Sequence, residues 1–173
     1  SWWEADTGTT INTDAGLQWG LVQLSSQFLQ VYMLQLPTIT SIRAFIGLTD
    51  QTLATMLGSD NPAGNYVGFQ FSTARGDTNW QFVSKDGTTQ NVQDSLVGAN
   101  TSGQIFKVLV DSTPSAICSL FDTGWSPIGV AVPVTLSANL PSTGQLRLVG
   151  GVRNLTGASR TFRSSFGYQV MSP

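Results

Sequence analysis

The chain has 173 residues, of which 40% are aliphatic, aromatic or cysteine and only 10% charged, with a formal net charge of −2. That is enough apolar material for one packed domain, while a charged share well below the roughly 25% usual in soluble domains leaves Thr, Ser, Asn, Gln and Gly to cover the surface. The composition excludes a basic footprint for nucleic acid, the absence of histidine excludes Ser-His-Asp, Cys-His and the common zinc chemistries, and no apolar run approaches the ~20 residues that cross a bilayer.

Residues 1–20 read as an irregular leader in which Trp2, Trp3 and Trp19 stand among Thr, Asp and Gly. Three indoles are costly to leave in water, so each needs a partner surface, either this domain's edge or a neighbouring chain. They are the candidate assembly residues. The opening SWWEADTG lacks the basic region and apolar run of a signal peptide, and the expectation is a protein made in a cytoplasm without a cleavable export signal. Residues 21–173 read as a single domain. Leu21, Leu24, Phe28 and Val31 fit helical spacing, yet the same run also suits a long strand buried on both faces. A strand from Gln27 to Gln35 is preferred, because a Pro-Thr turn ends the run and β structure follows. Ile42, Ala44, Ile46 and Leu48 alternate as a further strand. Asp50 is the expected N-cap of a short helical turn closed by Gly58, and residues 59–64 form a loop.

The stretch Tyr66–Asp94 carries the strongest local signal. Val67, Phe69 and Phe71 alternate with Gly68, Gln70 and Ser72, the period of two that sends one set of side chains to a core face. Residues 74–77 supply a turn, Trp80 and Phe82 resume the alternation, and Lys85-Asp86-Gly87 holds the Asp-Gly pair that tight hairpins favour. Thr88 to Val92 completes a three-stranded antiparallel meander. Further strands follow at 105–111 and 116–121, and around Val130, Val132 and Val134. There Pro133 removes a ladder donor and implies an edge strand or a strand end. The last two strands run over 145–154 and 159–170. About ten short strands at intervals near 8–14 residues, with no fixed repeat, predict an all-β antiparallel sandwich or jelly roll.

The chemistry open to such a chain is narrow. Glycoside hydrolysis needs two carboxylates ~5–9.5 Å apart, one of them kept protonated, but the only glutamate is Glu4, and Asp50, Asp60, Asp77, Asp86 and Asp122 all fall in predicted turns, with Asp111 at a strand end. No enzyme activity and no cofactor are expected. Calcium has candidate ligands in Asp60, Asn61, Asp77, Asn79 and Asp122, although ordinary turn chemistry is the preferred reading of each. Cys118, the sole cysteine, sits on an alternating apolar strand and reads as a buried, inert thiol. Arg75-Gly76-Asp77 is taken as hairpin loop, and the acceptor patterns at Asn100 and Asn154 as coincidence. Trp80 and Trp125, if exposed among Asn, Gln and Asp, would make a sugar-stacking platform; core packing is the competing reading.

The residues Tyr66, Gly68, Phe69 and Phe71, then Gly76, Asp77, Thr78 and Trp80, then Asp86 to Thr89, and finally Arg153 to Thr156 with Arg160 and Thr161, resemble a jelly-roll domain of tailed-bacteriophage virion proteins. The resemblance covers roughly the second two-thirds of the chain and contains no catalytic signature. Residues 115–124, SAICSLFDTG, depart from the D-G-x-x-V hairpin of that family. The resemblance implies a concanavalin-like or capsid-type sandwich on a phage particle. Such a domain serves as a trimeric head-decoration (cement) protein bound to the major capsid protein, or as a tail-fibre module that grips host polysaccharide.

Overall fold

The computed structural model describes residues 3–23, 28–110, 115–129, 134–141 and 145–171. Twelve strands and one helix make up this part of the chain. They are β1 (Trp3–Asp6), β2 (Asp14–Gln23), β3 (Phe28–Gln35), β4 (Ile42–Thr49), α1 (Leu53–Gly58), β5 (Gly64–Ser72), β6 (Asn79–Gly87), β7 (Gln90–Gly98), β8 (Gln104–Val110), β9 (Ala116–Phe121), β10 (Val134–Leu136), β11 (Gln145–Asn154) and β12 (Thr161–Met171). All pairings are antiparallel and form two six-stranded sheets, β1-β12-β3-β8-β9-β10 and β2-β11-β4-β5-β6-β7. The β-sandwich expected from strand spacing is the observed architecture.

The core lies between the sheets and follows the alternation. Ile42, Ala44, Ile46 and Leu48 of β4, Val67, Phe69 and Phe71 of β5, and Trp80 and Phe82 of β6 meet Tyr32 and Leu34 of β3, Phe106 and Val108 of β8, and Cys118 and Leu120 of β9. Phe106 joins the two layers, with ring centroids 5.1 Å from Phe69 and 4.8 Å from Trp80, both edge-on. Edge-to-face pairs of this kind add about 0.5–1.5 kcal/mol each beyond the area they bury. β3 lies between β12 and β8, so the strand reading of 28–35 holds, and Gln27 lies outside the described residues. β10 sits at a sheet edge, one of the two places expected for the strand around Val134; Val130, Val132 and Pro133 lie outside the described residues.

Every residue of β4 is buried, because the second sheet is covered on its outer face too. Phe45, Tyr66, Val83 and Val149 point away from the main core and pack with Met56 and Leu57 of α1. Glycines on that face let neighbouring backbones close up: a Cβ on Gly47 would lie 2.4 Å from the Val67 carbonyl oxygen.

Two expectations are corrected. The described residues of the expected leader, 3–20, are not irregular throughout, since β1 pairs with β12 in one sheet and β2 with β11 in the other. Their Thr- and Asp-rich composition hides strands whose pairing energy comes from segments far along the chain. Asp50 does not cap α1. The N-cap is Thr52, whose Oγ1 accepts from Thr55 N, while the Asp50 carboxylate accepts from the Asn65 backbone at 3.0 Å and side chain at 2.7 Å.

Candidate functional site

The five tryptophans sort by environment. Trp2 lies outside the described residues, and Trp19 contributes backbone to β2 with its side chain outside the description. Trp3 starts the edge strand β1, is 43% exposed, and meets Phe162 edge-on at 6.4 Å. Trp80 is corrected as a platform residue: it is 1% exposed and its Nε1 donates to Gln104 Oε1 at 2.8 Å. Both faces of its ring are spent inside the core. Trp125 is the reverse case, 48% exposed.

The loop after β9 explains how Trp125 comes to be presented. The Asp122 side chain accepts from Gly124 N at 2.8 Å and Ser126 N at 2.9 Å, while its backbone N donates to Ser126 O. Ile128 N donates to Leu120 O, and Pro127 bridges Phe121. The segment therefore turns back on β9 as a tight hairpin. Trp125 sits at its tip with φ of 65°, the left-handed region that costs an L-residue roughly 1–2 kcal/mol. Its indole lies tilted against Phe121, ring centroids 5.9 Å apart, and close to half of it is exposed.

The base of this loop rests on the other sheet. Gly129 packs so closely against β7 that a Cβ there would lie 2.0 Å from Val97 Cγ2. At that place β7 bulges: Asn79 pairs with Gly98 but Gln81 with Asp94, so residues 95–97 loop out opposite Trp80. The bulge is fixed by Asp94 Oδ1 accepting from Leu96 N at 2.7 Å and Ser95 Oγ accepting from Val97 N at 3.0 Å. Leu96 is thrown outward, 68% exposed with φ of 57°. Two exposed apolar side chains in left-handed backbone thus belong to loops that touch each other. Strain held by surrounding structure in this way points toward function.

The carboxylates offer nothing comparable. Among the described residues each one has a partner: Glu4 and Arg163, Asp14 and Arg153, Asp60 and Arg43, Asp77 and Arg75 as ion pairs, the others with hydroxyl, amide or backbone donors. Asp86 is held down to about 2 by the Thr89 N–H, then by the Thr88 hydroxyl and N–H. Asp50 and Asp60 also lie below their ordinary value despite the opposing push of burial. A general acid requires the opposite shift. The calcium candidates Asp60, Asp77 and Asp122 sit in three separate turns, each engaged with its own donors, and no group of three metal-ligating side chains forms among the described residues. Arg75 and Asp77 are locked together as a two-point ion pair within their turn. Cys118 is fully buried, and burial pushes its thiol up to about 12.

Neither a protein-family model nor a curated protein sequence matches the chain. Solved structures do match its fold. The carbohydrate recognition domain of Emp47p superposes with a TM-score of 0.60 at 12% identity, covering 99% of this chain and 89% of that one. A legume lectin-like domain from Entamoeba histolytica gives 0.58 at 11% identity, over 96% and 82%. A β-1,3-1,4-glucanase from a mouse hindgut metagenome gives 0.59 at 10% identity, over 98% and 80%. The likeness is one of fold, a lectin-like, concanavalin-like β-sandwich.

Proposed function

We propose that this chain is a non-enzymatic, lectin-like binding module that stacks a sugar ring on Trp125. The single observation that carries this reading is the presentation of that indole: 48% exposed, tilted against Phe121, on a hairpin tied by Asp122 and footed on β7. An aromatic held rigid before binding loses little entropy when it stacks. The carbohydrate-recognition domain and the lectin-like domain with the same fold support the reading. The glucanase has the same fold, but each carboxylate among the described residues is engaged with a donor, and Asp50, Asp60 and Asp86 lie below their ordinary value. The test is calorimetry against a panel of neutral and acidic oligosaccharides with wild type, Trp125→Ala and Trp125→Phe. Trp125→Ala should lose at least tenfold in affinity with an unchanged circular dichroism spectrum, and Trp125→Phe should retain part of it. Equal binding by wild type and Trp125→Ala overturns the reading.

A second reading takes the virion resemblance further: a homotrimeric decoration subunit that stabilises a phage head against the major capsid protein. Trp3 favours it, a large indole 43% exposed on an edge strand, where a second chain finds both apolar surface and free backbone groups. Sedimentation velocity separates the readings. A trimer that dissociates on Trp3→Ala supports the assembly role, and a wild-type monomer overturns it.

A further inference from the structure

Residues between β4 and β5 leave the second sheet as an excursion with a tied base. Asp50 N donates to Asn65 O, and the Asp50 carboxylate accepts twice from Asn65. On the way out, α1 covers the apolar half of the sheet's outer face. On the way back, residues 59–63 cross its polar half. Outside the helix and strands, none of the backbone–backbone hydrogen bonds among the described residues involves this return segment. Side chains hold it from below instead. Gln70 Nε2 donates to Ser59 O at 3.3 Å, Gln90 Nε2 to Asp60 O at 2.9 Å, and Arg75 Nη1 to the same oxygen at 3.5 Å. Lys85 Nζ donates to Asn61 Oδ1 and Pro62 O, both at 2.8 Å. Arg43 Nε meets the Asp60 carboxylate at 2.7 Å, while its Nη1 reaches Leu57 O at 2.9 Å.

Five side chains from β4, β5, the β5–β6 turn, β6 and β7 therefore converge on one segment, and each of these contacts is a donor meeting an oxygen. Three of the five are cations; Arg75 is already paired with Asp77, and the segment itself supplies one carboxylate, which meets Arg43. Lys85, only 7% exposed, faces neutral oxygens alone. On the same face Tyr66 Oη and Ser72 Oγ, in residues with no exposed surface, lie by Gln90 and Asp60 respectively without reaching good hydrogen-bond geometry. Buried polar atoms are ordinarily satisfied, so the face has hydrogen-bonding capacity beyond what its own chain uses.

We propose that this face is a recognition groove for a uronic-acid oligosaccharide, occupied in cis by the Asp60 carboxylate, with residues 59–63 acting as a strap that the ligand displaces. The donor bias selects the ligand class. A peptide brings an N–H for nearly every C=O, and its amides would find few acceptors, since the Gln70 side-chain oxygen already accepts from Arg75 at 2.8 Å. A polyuronate brings carboxylates for Arg43 and Lys85, ring oxygens for the glutamines, and hydroxyls that pair with Tyr66 and Ser72 in either sense. This site shares only a ligand class with the Trp125 loop and contains none of its residues.

The test removes the internal carboxylate. Trigalacturonate and the neutral maltotriose are titrated calorimetrically into the full chain as wild type, Asp60→Ala, Asp60→Ala with Arg43→Gln, and Asp60→Ala with Trp125→Ala. Asp60→Ala should bind trigalacturonate at least tenfold more tightly than wild type does, with no gain for maltotriose. Adding Arg43→Gln should abolish the gain, and adding Trp125→Ala should leave it intact. A gain that is absent, that extends equally to maltotriose, or that survives Arg43→Gln overturns the proposal. Loss of the gain with Trp125→Ala would assign it to the other loop and overturn it too. Should Asp60→Ala fail to fold, Asp60→Asn keeps the shape without the charge. Its Tm should then rise with trigalacturonate and not with maltotriose, and an unchanged Tm overturns the proposal.

Discussion

Asp14 and Arg153, 139 residues apart in the chain, face each other across β2 and β11 in a two-point ion pair, Nε to Oδ1 at 2.6 Å and Nη2 to Oδ2 at 2.8 Å. Arg153 Nη2 also reaches the Ala54 carbonyl at 3.1 Å, so one guanidinium fixes the edge strand β2 and the first turn of α1 together. The pair is two-pointed and largely sheltered, which separates it from the exposed pairs that contribute little. Arg153→Ala should lower the free energy of unfolding by about 2 kcal/mol, and a double-mutant cycle with Asp14→Ala should return a coupling of about 1–2 kcal/mol. Urea titration of the four proteins checks both values.

Acid should weaken the protein from one side only. Burial pushes the Asp50 and Asp60 carboxyls up, but hydrogen bonds from Asn65 and Gln51 on the first, and the Arg43 and Ser72 side chains with the charges of Arg43 and Arg75 on the second, outweigh it, so both lie below the ordinary value. A group whose pKa is depressed by folding contributes stability that is complete above its unfolded value, about 3.9, and is lost as pH falls through the folded value. The urea midpoint should be flat from about pH 7 to 5 and fall between about pH 4 and 2. Asp60→Asn should start lower at pH 7 and decline less steeply.

Leu96 carries backbone strain with little burial in return. Replacing it by Gly or Asn removes the left-handed penalty and exposes no core atom, so each variant should gain about 0.5–1 kcal/mol. Thermal unfolding reads the gain directly. A loss of stability would mean that the Leu96 side chain packs on something that its 68% exposure does not reveal.

Cys118 should be silent in the native state. Its thiol is buried in the core and pushed up to about 12 by that burial, leaving almost no thiolate at neutral pH. An aromatic disulfide reagent should not react over hours at pH 8 and should label one thiol per chain at once in denaturant. Rapid native labelling would show that β9 opens locally.

The meander was legible because its information is local. Trp80 and Phe82 share one parity, and Asp86 folds its own turn by accepting from the Thr88 and Thr89 N–H groups. The same parity pointed Trp80 toward the core, whereas Trp125 lies in a D-T-G-W turn that carries no inward period. β1 and β2 were not legible, since their partners lie beyond residue 144 and nothing near Trp3 or Asp14 announces them. The cap of α1 turned on which of two side chains, Asp50 or Thr52, was free to cap, and that depended on Asn65. Arg43, Gln70, Lys85 and Gln90 could be read as polar strand positions. Their convergence on one segment follows only from strand order, which no single stretch of the chain encodes.

Gly129 carries a mechanical consequence. The hairpin that holds Trp125 grows from β9 of one sheet, yet its base bears on Val97 of the other. A strut footed on both layers cannot be loaded at its tip without transmitting force to the gap between them. Occupancy at Trp125 should therefore slow amide hydrogen exchange in β7, near Val97 and Gly98. Gly129→Ala, by forcing the strut off its footing, should uncouple the two.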